Sequence, residues 1–460
     1  MNTTALKQVL ISADILYSDG LTNRRYSGKI LLVLLLKGIG QMSDRRKTSK
    51  SIKALTALSV ALILLDIITA GYFIIRNMNK DSETEQTEVT SHDTETTETS
   101  TTAEETTEPT TEAKDEIDII IEGMSLHEKV CQMFIITPEA LTNDVDVTAA
   151  SMATEKSLAE NPVGGLIYFE KNLLSQTQIT NVIDTIKDYA EDQGCIPLFY
   201  SVDEEGGQVA RCADALGTAY VESAYYYRSM GTDAAYSNAR MIAGDIKGLG
   251  FNLNFAPVAD TWSNPNNTVI GTRAYSDDFK ETARLVSAAV KGFSDGGVYC
   301  TVKHFPGHGD TAEDSHYSSA VSYKTAEELR ANEYLAFKDG IEAGADMVMV
   351  GHIIVPEIDE LPATLSEKMI QGELRGHLGY DGVIITDSLG MGAITNSYSS
   401  ADAAVMAVQA GNDILLTPDN FLEAVNGIEE AVNSGKLTEE RINESVRRIL
   451  TLKKETMNIG

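Results

Sequence analysis

From Ile117 onward, short apolar runs recur along the chain, and stretches with helical patterning separate them. The runs are 130–136, 165–169, 197–202, 251–258, 298–303, 347–351, 383–386 and 413–416, and helix-compatible segments such as 178–191, 234–249, 279–294 and 326–343 lie between them. Runs of this length, bounded by polar turns, read as buried strands. Eight of them alternating with helices predict an α/β fold built as one (β/α)8 TIM-type barrel over 117–460. An open doubly wound sheet is the alternative. No GxGxxG follows an early strand, which argues against a dinucleotide-binding version of that sheet. Ser434-Gly435 reads as a helix stop, and Thr438 as the cap of a last helix over 439–454.

The chain ahead of the barrel has a different composition. Residues 54–75 form a nearly continuous apolar run of membrane-spanning length, interrupted only by Asp66. A charge at a helix centre costs about 2.5–3.5 kcal/mol on insertion scales. Arg45, Arg46, Lys47, Lys50 and Lys53 precede the run. The positive-inside rule therefore places 1–53 in the cytoplasm and everything after the run outside the cell. No A-x-A site or lipid-attachment cysteine follows, so an uncleaved single-pass anchor at 54–75 is preferred to a signal peptide. Met42, just before the basic cluster, is read as the true start. Residues 76–116 are dominated by Thr, Glu, Ser and Asp. Such a segment has no apolar surface to bury and is expected to be a disordered linker. The stretch 81–114, fully extended, reaches on the order of 100 Å. The formal net charge of −31 makes nucleic acid an improbable partner. The four cysteines, Cys131, Cys195, Cys212 and Cys300, show no CxxC or metal-like spacing. Cys131 and Cys300 sit in apolar runs and read as buried free thiols.

In a barrel of this kind the active site lies at the C-terminal ends of the strands, and here those ends carry reactive groups. One run ends in Asp203-Glu204-Glu205-Gly206-Gly207 with Arg211 just beyond, and another in Asp260, whose long loop carries Arg273. The next ends in Lys303-His304 and continues through a loop with His308, Asp310, Asp314 and His316. The last two of these polar ends are His352 and Asp387-Ser388. Gly307 and Gly309 are expected to make the histidine loop flexible. Asp387, ending a very apolar strand, is a candidate nucleophile. His316 is a candidate general acid/base, with Asp314 two residues away to orient it. Lys303, Arg211 and Arg273 are donors for hydroxyl or carbonyl oxygens, and Asp203 can accept two hydroxyls of one sugar. A nucleophilic carboxylate with a separate proton donor is the arrangement of retaining glycoside hydrolysis.

Lys303-His304-Phe305-Pro306-Gly307-His308-Gly309-Asp310-Thr311-Ala312-Glu313-Asp314-Ser315-His316 closely resembles the signature of the β-N-acetylglucosaminidases of glycoside hydrolase family 3. Asp203-Glu204-Glu205-Gly206-Gly207-Gln208-Val209-Ala210-Arg211, Val269-Ile270-Gly271-Thr272-Arg273-Ala274 and Ile385-Thr386-Asp387-Ser388-Leu389-Gly390-Met391 extend the match in the family's order, over about 117–460. The resemblance implies that Asp387 forms a glycosyl-enzyme intermediate, and that His316, paired with Asp314, protonates the leaving oxygen and later activates water. It implies that Asp203, Arg211, Arg273, Lys303 and His304 bind the sugar, and it calls for no cofactor and no metal. The family's β-glucosidases take their acid from a glutamate in a second domain. The Asp314-Ser315-His316 sequence fits the amino-sugar branch. Glu313, acidic beside the dyad, is a local departure. With the topology above, the implied substrate is a cell-wall-derived or other amino-sugar glycoside, met by a membrane-anchored extracellular domain.

Other readings use the same residues. His304, His308, His316 and Asp310 could serve a metal-dependent hydrolase, although Asp387 then has no role. The chain could bind wall sugars without turning them over. Phosphate could replace water as acceptor, and β-glucosidase activity is the other alternative within the family. His308 reads as a loop-shaping residue. His352 and Asp260 divide evenly between site and structural roles. Glu204 reads as a surface residue, and Trp262 and Tyr225-Tyr226-Tyr227 as packing.

Overall fold

The computed structural model describes residues 115–311 and 320–457. The expected cytoplasmic segment, the 54–75 anchor, the linker up to residue 114, and Asp314 and His316 lie outside the described residues. Eight parallel strands form one sheet: β1 (Phe134–Ile136), β2 (Gly165–Ile167), β3 (Phe199–Val202), β4 (Leu253–Asn254), β5 (Tyr299–Phe305), β6 (Met347–Val350), β7 (Val383–Thr386) and β8 (Leu415–Leu416). They neighbour one another in chain order, and β8 returns to pair with β1 through Phe134↔Leu415 and Ile135↔Leu416. A parallel bridge between Ile385 and Ile414 joins β7 to the segment entering β8. These contacts make the nearly closed parallel barrel expected from the eight apolar runs. Strands covered on both faces read as near-continuous apolar runs, and β3, β5, β6 and β7 are buried throughout, with Lys303 and His304 near the end of β5 among the charged and polar exceptions.

Helices alternate with the strands: α1 (Met152–Glu160), α2 (Gln176–Asp192), α3 (Thr232–Gly248), α4 (Phe279–Gly296), α5 (Tyr334–Glu342), a π-helix (Lys368–His377), α6 (Ser400–Ala410), α7 (Phe421–Asn433) and α8 (Glu439–Met457). Their starts follow capping chemistry. Ser175, Asp278, Ser399 and Asn420 each accept a first-turn backbone N–H, and Thr438 Oγ1 accepts the Arg441 N–H at 3.2 Å. Beyond α7, Gly435 has φ 78, the left-handed turn that glycine adopts without a Cβ clash. Two expectations need correction. The 130–136 run is not all strand: a capping box of Ser125 and Glu128 starts a helix over Leu126–Gln132, and Val130 and Cys131 are buried on it. The 326–343 segment breaks at Asn332 into Ala326–Ala331 and α5, because Asn332 leaves helical geometry at φ −128, ψ −81.

The last helix covers the strands' starting ends. Lys453 on α8 is fully buried; its ammonium donates to Gly164 O (2.9 Å) and Gln132 Oε1 (3.0 Å) and lies over the Phe199 ring. Tyr299, opening β5, donates to Leu452 O at 2.8 Å. Lys129–Glu439 and Lys454–Glu116 ion pairs, both 2.7 Å, tie α8 to the helices over Leu126–Gln132 and Glu116–Gly123. With that end covered, the polar groups collect at the other. All four cysteines are free. Among the described residues no helix is long and apolar enough to cross a membrane.

Candidate active site

The strands' C-terminal ends surround a pocket of about 280 Å³, and five of the predicted sugar-binding residues, Asp203, Arg211, Arg273, Lys303 and His304, line it together with Asp387. Apolar side chains, among them Ile167, Phe169, Met349 and Met391, complete the wall.

Two carboxylates leave β3 toward the pocket. Lys303 Nζ donates to Asp203 Oδ1 at 2.8 Å and pairs with Glu205 Oε1 at 2.7 Å. Arg273 grips Glu205 with its fork, Nε to Oε2 and Nη2 to Oε1, both at 2.9 Å. Burial works against the charges of Glu205, Arg273 and Lys303, but the opposite charges outweigh it. Arg273 and Lys303 hold the Glu205 carboxyl far below its usual range, and Asp203 and Glu205 raise the Lys303 ammonium. Arg211 Nε lies 3.7 Å from Asp203 Oδ2, its guanidinium packs over Phe169, and its buried Nε has no hydrogen-bond partner among the described residues. That N–H is available to an oxygen acceptor entering the pocket.

Sequence reasoning missed Glu205, although its signal was present. Positions 203 and 205 alternate onto one side of an extended segment, and only the structure shows the buried cations that 205 must balance. Glu204 corrects an expectation: it is buried, not a surface residue. Its carboxylate accepts the Cys212 and Ala213 N–H groups at 2.6 and 3.1 Å, ahead of the short helix that Arg211 begins. Asn254, ending β4, clamps the backbone of Glu204 on both sides, accepting its N–H and donating to its C=O.

The histidine loop is held from within. Asp260 is buried, and its two oxygens accept His304 Nδ1–H at 2.6 Å and the His308 N–H at 2.6 Å. Against its burial, His304 and His308 keep the Asp260 carboxyl low. Because a carboxylate only accepts, Nδ1 of His304 carries a proton and Nε2 is the nitrogen left for the pocket. His308 binds Thr311 Oγ1 through Nδ1 at 2.7 Å, and burial lowers its pKa. Gly309 has a packing reason to be small. A Cβ on Gly309 would lie 1.7 Å from Thr261 O, so the residue is small because two backbones meet there. Among the described residues no group of three or more His, Cys, Asp or Glu side chains is placed to hold a metal. Tyr225 and Trp262 pack edge to face at 5.0 Å.

Asp387 follows β7 directly and is half-buried at the pocket. Burial opposes its charge, but His304, His352, the Ser388 N–H and Lys303 together hold its carboxyl below the usual range. It is therefore ionised at neutral pH, as a nucleophile needs to be. The Ser388 N–H donates to its Oδ1 at 2.8 Å. His352 is fully buried and supports this turn from behind, with Nε2 2.8 Å from Ser388 O and Nδ1 2.7 Å from Thr364 Oγ1. The arrangement offers one ionised carboxylate beside a patch of paired acceptors and donors, a combination suited to attack at a carbon whose neighbouring hydroxyls are held.

Comparisons with known proteins agree with this chemistry. The chain is 35% identical to a beta-hexosaminidase of Stenotrophomonas maltophilia (strain K279a) over 285 residues, 59% of this chain and 82% of that protein. It is 33% identical to Beta-hexosaminidase A of Pseudoalteromonas piscicida over 317 residues, 63% of this chain and 53% of that protein. Among solved structures, a glycoside hydrolase family 3 beta-N-acetylglucosaminidase from Paenibacillus sp. str. FPU-7 superposes with a TM-score of 0.69 at 39% identity, over 74% of this chain and 64% of that one. The chain thus spans about half the length of the Pseudoalteromonas protein and under two thirds of the Paenibacillus one. Residues 125–452 match the description "Glycosyl hydrolase family 3 N terminal domain", and the chain belongs to glycosyl hydrolase family 3.

Proposed function

We propose that the protein is a retaining, exo-acting β-N-acetylhexosaminidase that removes terminal N-acetylglucosamine from cell-wall-derived or other amino-sugar glycosides. The observation that carries the reading is the ionised Asp387 carboxylate facing a small pocket ringed by Asp203, Arg211, Arg273, Lys303 and His304. In the first step an oxygen of Asp387 bonds to the anomeric carbon as the bond to the aglycone oxygen breaks, and His316 gives that oxygen a proton. In the second, His316 takes a proton from water, the water oxygen bonds to the anomeric carbon, and Asp387 leaves. Asp314 orients His316 throughout. Both residues stand outside the described segments, and their roles rest on the family resemblance. Residues 54–75 hold the domain at the cell membrane on its outer side, with 1–53 inside and the acidic linker between; this rests on hydropathy and charge alone.

The test compares nitrophenol release from the β-N-acetylglucosaminide and the β-glucoside, using residues 115–460 and Asp387→Ala as control. Turnover of the first only, lost in the control, is expected. Turnover of both would overturn the amino-sugar assignment, and faster release with phosphate than without would replace water as the acceptor. A full-length chain recovered outside the membrane fraction would overturn the anchor.

A further inference from the structure

Thr417, just after β8 and on the pocket wall, has φ 38. A β-branched residue with left-handed backbone is an outlier, because its Cβ substituents crowd the carbonyl that glycine or asparagine would leave free. Such a conformation persists only where surrounding contacts impose it, and here they do. The Thr417 N–H donates to Ile135 O at 2.9 Å, and its C=O accepts the Gly390 N–H at 2.9 Å. A further backbone bond, Leu389 N–H to Leu416 O at 2.9 Å, straps the turn after the nucleophile to the end of β8. The conformation delivers a side-chain contact: Thr417 Oγ1 bonds Ser388 Oγ at 2.7 Å. Ser388 is thus held at its hydroxyl by Thr417 and at its carbonyl by His352, while its N–H meets Asp387 Oδ1.

From this geometry we infer that Thr417 is a positioning residue for the nucleophile, acting through Ser388, and that Oδ2 is the attacking oxygen of Asp387. Oδ1 is engaged by the Ser388 N–H, and among the described residues no hydrogen bond falls on Oδ2. A carboxylate held by one oxygen keeps the other aimed, and rate depends steeply on such aim. The attacking role rests on the proposed glycosidase reading; the positioning contact is independent of it.

The test is a double-mutant cycle on the domain, reading kcat and KM for the nitrophenyl N-acetylglucosaminide. Thr417→Val keeps the shape and removes the hydroxyl; it should lower kcat about ten-fold, equivalent to about 1.4 kcal/mol of barrel-held transition-state stabilisation, with KM within two-fold. Ser388→Ala keeps the backbone N–H and should fall by a similar factor. The double variant should be no slower than Ser388→Ala alone, because that substitution already removes the Thr417 Oγ1 contact together with the longer one from Ser388 Oγ to Thr417 O at 3.5 Å. Thr417→Ser, which keeps the hydroxyl, should restore most of the rate. Wild-type kcat in folded Thr417→Val, or additive losses in the double variant, would overturn the inference. If Thr417→Val does not fold, Ser388→Ala against wild type decides in the same way. If the wild-type domain turns over no hexosaminide, the functional reading fails, and crystal structures of wild type and Ser388→Ala decide the positioning: a Ser388-position N–H displaced from Asp387 Oδ1 supports it, an undisturbed contact overturns it.

Discussion

At the scale of single residues, the pocket is a charge balance rather than a row of independent binders. Arg273 and Lys303, read from the sequence as hands for a sugar, are each committed to carboxylates first: Arg273 to Glu205, and Lys303 to Asp203 and Glu205. Removing the Glu205 charge leaves the buried Arg273 guanidinium without its carboxylate and Lys303 with Asp203 alone. Glu205→Gln should therefore destabilise the domain by on the order of 3 kcal/mol, the usual cost of breaking a buried pair, and should raise KM. Urea unfolding and steady-state kinetics on one preparation check both. Asn267 offers a second case. It is buried, donates to His308 O at 2.7 Å and accepts the Val269 and Ile270 N–H groups at 3.0 and 2.8 Å. It thereby joins the histidine loop to the turn bearing Arg273. Asn267→Ala takes the acceptor away from the Val269 and Ile270 N–H groups, the second of them buried, while His308 O keeps the Thr311 hydroxyl at 3.0 Å; the loss should cost about 1–3 kcal/mol, measured as a lower urea midpoint at unchanged slope.

At the scale of elements, the closest helix contact sets a firm expectation. α3 and α4 meet through small residues. A Cβ on Gly292 would stand 2.3 Å from Tyr236 O, and one on Gly296 would stand 2.3 Å from Ala243 Cβ. Neither glycine needs unusual dihedrals; both are small because the helices touch. Gly292→Ala gains helix propensity but forces the pair apart, and overpacking of this kind costs about 1–3 kcal/mol. Thermal unfolding of the variant should begin several degrees lower. If it instead melts higher, the contact is looser than the distances say.

For the whole molecule, the covered end of the barrel has its own titration. Burial pushes the Lys453 ammonium down to about 7, and no carboxylate offsets it; only Cys195 pulls the other way. An unfolded lysine titrates near 10.4. Between these values the unfolded chain holds the extra proton, so stability should rise with pH from about 7 to about 10 on account of this residue. Below 7 the penalty is present in full. Lys453→Met should flatten that part of the stability–pH curve in urea titrations. A curve of unchanged slope would mean that Lys453 stays charged in the fold.

The barrel and its polar rim were legible in the amino-acid pattern. Strands buried on both faces read as near-continuous apolar runs, and a parallel sheet places all their C-terminal ends together, so Asp203, Lys303, His304 and Asp387 could be assigned to one rim before any contact was known. Boundaries were legible where capping or turn chemistry marks them, as at Thr438 and Gly435. They were misread where a helix face and a strand share one apolar run, as at 130–136, because burial alone does not distinguish the two. Pairings between residues far apart in the chain were not legible there: Glu205 with Arg273, Asp260 with His304, Thr417 with Ser388, and Lys453 with Gly164. Each depends on distances between loops that no local pattern encodes, and in each the low-dielectric interior makes the partner, rather than the residue type, decide the charge and the aim of the group.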